Sequence, residues 1–135
     1  MRVKPGSRGE ASIVVDGSQT AAAVGSGLVA AYSTPSLITL MEAAAIDAIT
    51  PYLDEGESSV GSEVSIKHLA ATPPGFRVRA EAVVTAVQEK RISFDVVAFD
   101  DREKVGEGTH VRYVIDLARF MERLSRKAAE AGPAS

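Results

Sequence analysis

Thr34-Pro35-Ser36-Leu37-Ile38-Thr39-Leu40-Met41-Glu42-Ala43-Ala44-Ala45-Ile46-Asp47-Ala48-Ile49 carries apolar residues on nearly every side of a helical wheel. A helix of that kind is buried on most of its faces, so other elements must surround it. The pattern predicts a helix from about Pro35 to Ile49. Thr34 suits the N-cap, because its hydroxyl can accept a bond from a free N–H of the first turn. Pro35 suits the first helical position, where its missing N–H is not needed, and Pro51 ends the helix.

The flanking segments read as strands. Residues 9–16 form a first strand that stops at Asp16-Gly17, a turn signal. Residues 17–32 are small and without a clear period, so they read as a loop, either a lid or filler. Downstream, Val60, Ser62, Val64, Ile66, His68 and Ala70 share one mostly apolar face, with Glu63, Ser65 and Lys67 opposite. Phe76, Val78, Ala80, Ala82 and Val84 repeat that alternation, and Ile92, Phe94, Val96 and Ala98 continue it. A last strand runs from about Val105 to Ile115, where Gly106 and Gly108 suggest a bulge or a close backbone approach. Asp116 can cap a closing helix with Leu117, Phe120, Met121 and Leu124 on one stripe. Strand, buried helix, then four antiparallel strands predict an α+β fold, a single hot-dog domain over 1–135 with a curved sheet wrapped around the helix. Residues 128–135, rich in Ala and Gly, read as a frayed tail. Such sheets pair edge to edge, which would make the chain a homodimer and cover an open edge.

Composition narrows the function. The 135 residues fit one domain, and a formal charge of −3 gives nothing global to attract nucleic acid. There are no cysteines, which excludes thiol catalysis and thiolate metal sites and is compatible with a cytoplasmic protein. The longest nearly uncharged run, Gly17 to Met41, contains Gly, Ser, Gln, Thr and Pro and is not a membrane span. Two histidines without metal-ligand spacing argue against a catalytic metal, and Gly25-Ser26-Gly27 lacks the rest of a phosphate-cradling motif.

Three polar residues stand out against this background. Glu42 sits on the apolar helix, where a carboxylate is costly to bury unless paired; the alternative is that it reaches solvent at a gap in the sheet. His68 shares a face with Val64 and Ile66, so it points at the helix, as a core histidine or as a general base tuned by a nearby carboxylate. Thr34 supplies a hydroxyl, although capping alone would explain it. Thr34 and Glu42 are eight residues apart on one helix, about 12 Å of rise. They can share a reaction centre only if Thr34 folds back or a second chain supplies one of them. His110 reads as a structural or interface histidine. Arg112, in phase with it, could hold a carboxylate, bind a phosphate or face solvent. Arg119, Arg123, Arg126 and Lys127 read as a solvated helix face.

Leu40-Met41-Glu42, Pro51-Tyr52-Leu53, the stretch from Ser59-Val60-Gly61 through His68 to Ala70-Ala71-Thr72-Pro73-Pro74-Gly75, and Gly106-Glu107-Gly108-Thr109-His110-Val111-Arg112 resemble the hot-dog thioesterases related to fluoroacetyl-CoA thioesterase. The resemblance runs from about Thr34 to the final helix. It implies that Thr34, Glu42 and His68 carry hydrolysis of an acyl-CoA, that Gly61 and Arg112 contact the substrate, and that coenzyme A enters only as part of that substrate, with no cofactor. The phenylalanine gate of the fluoroacetyl-specific enzyme has no counterpart, since the first phenylalanine is Phe76; Leu28 matches the gate position best. The resemblance therefore implies thioester hydrolysis without implying selectivity for a fluorinated acyl group. Two rivals stay open on the residues alone. One is a hot-dog hydratase or dehydratase, whose differently placed His/Asp motif is absent here. The other is a non-catalytic acyl-thioester binding protein.

Overall fold

Helix α2 (Thr34–Ile49) lies across one face of a five-stranded antiparallel sheet whose strand order is β1-β3-β4-β5-β2. The strands are β1 (Arg8–Val14), β2 (Glu57–His68), β3 (Arg77–Gln88), β4 (Arg91–Phe99) and β5 (Lys104–Asp116). A short helix, α1 (Ala21–Val24), precedes α2, and α3 (Leu117–Glu130) closes the chain. The structure is a computed structural model that describes residues 1–131. Of the predicted tail, Ala128–Glu130 belong to α3 and residues 132–135 lie outside the described residues.

The alternation read from β3 and β4 places their apolar faces against α2. Val78, Ala80, Ala82 and Val84, with Ile92, Phe94, Val96 and Ala98, are all buried. They meet Leu37, Met41, Ala44, Ala45, Ala48 and Ile49 of the helix. Each large aliphatic side chain removed from water in this way contributes about 2 kcal/mol. The alanines on both surfaces let the helix settle close to the sheet. Gly106 shows how close: a Cβ there would come 2.9 Å from Leu37 Cδ2 and 3.1 Å from Met41 Cε. Both explanations offered for this stretch are present: the helix approaches closely, and the register of β5 against β4 shifts beside Gly106, between Ala98 and Phe99.

Two local expectations are corrected. Ser33, not Thr34, is the N-cap of α2: its Oγ accepts from the Ser36 N–H at 3.2 Å, so the helix starts one residue earlier than predicted. In β2, the register against β5 shifts between Gly61 and Glu63. This bulge inserts Ser62 as an extra residue and reverses the parity of everything before it. Ser59 and Gly61 therefore face the helix in place of Val60 and Ser62, while Val64, Ile66 and His68 keep the predicted side.

At the C-terminal end, the Asp116 carboxylate caps α3 by accepting from the Arg119 N–H at 3.0 Å, as read from sequence. The apolar stripe of α3 stays about half exposed at Leu117, Met121 and Leu124. Among the described residues no helix is long and apolar enough to cross a membrane.

Candidate active site

Because Ser33 takes the capping role, the Thr34 hydroxyl is free, and it lies 2.7 Å from His68 Nδ1. The contact joins the first turn of α2 to the last residue of β2. Two backbone bonds fix the geometry. Leu69 N–H donates to Val105 O at 2.7 Å, which carries the β2–β5 pairing one residue past His68. Tyr32 N–H donates to Thr72 O at 2.8 Å, which ties the chain after β2 to the chain entering α2. Thr34 is exposed on the rim of a cleft of about 400 Å³ lined by Val29, Tyr32, Thr34, His68, Leu69 and Ala71 among others. Leu28 does not reach the cleft; it is 98% exposed, and its neighbour Val29 forms that wall.

Burial lowers the His68 pKa below its ordinary value of 6.5, and the backbone of Ala70 offsets only part of the shift. The ring is therefore neutral at neutral pH. Its Nε2 is buried and no group meets hydrogen-bond geometry there. The accessible nitrogen is Nδ1, and a neutral imidazole bonded to a hydroxyl through a 2.7 Å contact can take up that hydroxyl's proton. Tyr32, on the same cleft, is a different case. Its phenol donates to Ser36 O at 3.0 Å and burial pushes its pKa up to about 12, so it remains a neutral donor and is no base.

Two turns further along α2, Glu42 is held by a second set of residues. Its Oε2 accepts from Arg112 Nη1 at 3.2 Å, and His110 Nε2 is 4.0 Å away. Arg112 is itself anchored to the bulged strand: Nε donates to Ser59 Oγ at 2.9 Å and Nη2 to Ser59 O at 3.1 Å. The Arg112 side chain is 6% exposed and that of Glu42 37%, so the pair lies at the edge of the core with the carboxylate facing outwards. Gly61 leaves the room. A Cβ at that position would stand 2.6 Å from Glu42 Oε2 and 3.3 Å from Arg112 Nη1.

The structure thus brings Thr34 to His68, and Glu42 to Gly61 and Arg112, but does not bring the two sets together within one chain. Of the roles left open for Arg112, holding a carboxylate is the one the geometry supports. Sequence reasoning gave Ser59 no role and read His110 as structural or at an interface, and His110 is buried. The shared parity of His110 and Arg112 was visible, but Ser59 joins them only because of the bulge, and Gly61-Ser62 gave the sole hint of that.

With this geometry in hand, the chain can be set beside known proteins. The profile of the family described as FlK, fluoroacetyl-CoA-specific thioesterase, matches residues 15–118. The fluoroacetyl-CoA thioesterase of Streptantibioticus cattleyicolor is 40% identical over 96 residues, which is 71% of this chain and 69% of that protein. A solved structure of the fluoroacetyl-CoA thioesterase FlK superposes with a TM-score of 0.86 at 34% identity, covering 94% of this chain and 97% of that one. A Thermus thermophilus hypothetical protein of the thioesterase superfamily superposes with a TM-score of 0.88 at 30% identity, covering 97% of both chains. The match spans β2, β5 and the whole of α2, the elements that carry both polar sets, and the chain belongs to the fluoroacetyl-CoA-specific thioesterase family.

Proposed function

We propose that this protein hydrolyses a small acyl-CoA to the free acid and coenzyme A at a site completed by a second copy of the chain, with Thr34 and His68 from one copy and Glu42 from the other. Thioester hydrolysis is the chemistry of the family, and the observation that carries the assignment is the 2.7 Å contact between Thr34 Oγ1 and His68 Nδ1. His68 Nδ1 takes the proton of the Thr34 hydroxyl as Oγ1 attacks the thioester carbonyl carbon. The proton then passes to sulfur as the C–S bond breaks and the thiol leaves. Water, oriented by Glu42, cleaves the resulting ester and restores the Thr34 hydroxyl. Gly61 has no side chain to keep the carbonyl from the backbone, where an N–H can stabilise the developing oxyanion. Arg112 holds Glu42 at the rim of the same site. Coenzyme A enters as part of the substrate, and the scheme needs no cofactor.

The homodimer rests on two features. β2 is an edge strand of twelve residues with Val64 40% exposed, and an open edge of that length is a template for pairing. The rise of about 12 Å from Thr34 to Glu42 also leaves each chain with two half-sites. A cytoplasmic setting belongs to the same reading and rests on a chain without cysteines. The acyl group is proposed to be other than fluoroacetyl, since Leu28 stands where a phenylalanine gate would be and lies off the cleft.

The test is thiol release from a panel of acyl-CoAs, from acetyl and fluoroacetyl to medium-chain and aryl-acetyl, with His68→Ala alongside. Turnover of at least one member, reduced by roughly 10²- to 10⁴-fold in the variant, is expected. No turnover by the wild-type chain across the panel, with acyl-CoA binding intact, would overturn the reading in favour of a binding protein.

A further inference from the structure

His110 is 2% exposed and touches neither the cleft nor bulk solvent, yet each of its ring nitrogens has a defined task. Nδ1 lies 2.7 Å from the carbonyl oxygen of Glu63, and a carbonyl only accepts, so Nδ1 carries the proton. The neutral ring then presents a bare Nε2, which faces Arg112 Nη1 at 3.3 Å and accepts from it. The Arg112 guanidinium is consequently held on both sides. Nε and Nη2 are fixed by Ser59, and the two hydrogens of Nη1 are divided between Glu42 and His110. The ring also stacks on Phe94 with centroids 5.7 Å apart, which fixes its plane.

Glu63 is the residue immediately after the extra Ser62 of the β2 bulge. The bond to its carbonyl therefore ties His110 to the irregularity that turns Gly61 towards the helix. Without that turn, a side chain or a shifted strand would occupy the space in which the Glu42 carboxylate sits.

We infer that His110 is a positioning residue of the hydrolytic site: its ring locks the β2 bulge and the Arg112 guanidinium in the arrangement that aims the Glu42 carboxylate past Gly61. The inference rests on the proposed role of Glu42. Its neighbours support the neutral form. Burial and the Arg112 charge both lower the His110 pKa, and they oppose the raising effects of the Glu63 carbonyl and of Glu42. The ionisable groups facing the ring are Glu42 from α2 and Arg112 from its own strand, while the Glu63 side chain is 68% exposed and pairs with Arg91.

Three proteins and one spectrum test this. His110→Phe keeps the ring over Phe94 and removes both nitrogens; His110→Gln keeps an amide that can donate to Glu63 or accept from Arg112. We expect kcat in His110→Phe to fall about 10- to 100-fold with KM little changed, and His110→Gln to recover most of the loss. A folded His110→Phe protein with undiminished kcat overturns the inference, and so does a loss that follows only the unfolded fraction in both variants. Glu42→Gln separates the two layers. If it is inactive while His110→Phe is fully active, the site reading stands and the inference falls; if it is fully active, both fall. Imidazole ¹⁵N chemical shifts of the wild-type protein give a reading that depends on no variant folding. They should show His110 neutral at pH 7 with the proton on Nδ1; a proton on Nε2, alone or in the imidazolium, contradicts the assignment.

Discussion

The two polar positions of α2 that face the site, Thr34 and Glu42, are built on opposite principles. At the first turn, the Thr34 hydroxyl is exposed, its partner His68 is neutral, and their only shared contact is one 2.7 Å bond on an open cleft. Two turns on, Glu42 is held by an arginine that Ser59 and His110 hold in turn, and Gly61 is kept bare for it. A group that must give up or take a proton has few competing partners. A charge that must stay in one place is surrounded by them. The contrast means that the first end should fail in chemistry and the second in structure as well as chemistry.

The largest expected effect is on chemistry at the exposed end. Thr34→Val keeps the side-chain shape and should lower kcat/KM by about 10²- to 10⁴-fold while leaving stability within about 0.5 kcal/mol, measured by thiol release and urea titration of the same protein. At the other end the loss should be double. Arg112→Met leaves the Glu42 carboxylate without its cation. Breaking a fully buried pair costs 3–5 kcal/mol or so; since Glu42 is 37% exposed, solvent screening reduces the expected loss of stability to about 2 kcal/mol, with activity falling too. Gly61→Ala approaches the same carboxylate from the strand and should displace it, lowering kcat more than it lowers stability. An equal loss of stability in Thr34→Val and Arg112→Met would erase the contrast.

Effects of pH are smaller and have a defined sign. Burial is the largest cause lowering both histidine pKa values below 6.5. Between its folded and unfolded pKa values each histidine is protonated more fully in the unfolded chain, so stability declines as the pH falls through 6.5 and is unaffected above it. The neutral, proton-accepting form of His68 also persists below pH 6.5, which places the acid limb of the kcat/KM profile below that value. A limb above 6.5 would mean that a nearby charge, not burial, sets the ring. The smallest effect tests why Thr34 is free at all. Ser33→Ala removes the cap and should cost about 1 kcal/mol, with part of the Thr34 hydroxyl drawn to the helix end and a modest fall in kcat.

Much of this was legible in the chain. The buried helix, the three alternating segments before the last strand and the inward side of His68 follow from periodicity, because one-sided burial forces alternation on a strand. What escaped depended on single hydrogen bonds or on one inserted residue. Ser33 and Thr34 are both competent caps, and only the fold decides that Ser33 takes the role. The bulge at Ser62 changes the parity of Ser59 and Gly61 without altering composition, so the partners of Arg112 could not be read from alternation. His110 looked structural, and it is buried as such a residue would be; its bearing on Glu42 emerges only when β2, β5 and α2 are brought together.

The central claim is that Thr34 with His68, and Glu42, meet across two copies of the chain. Co-expression of Thr34→Val and Glu42→Gln chains under separate tags, followed by thiol-release assay of the mixed dimers and of each variant alone, tests it most directly. Random pairing gives mixed dimers in half of the population, each with one intact site of two, so the pool should recover roughly a quarter of wild-type turnover. A pool no more active than its two parents would contradict a site shared between chains.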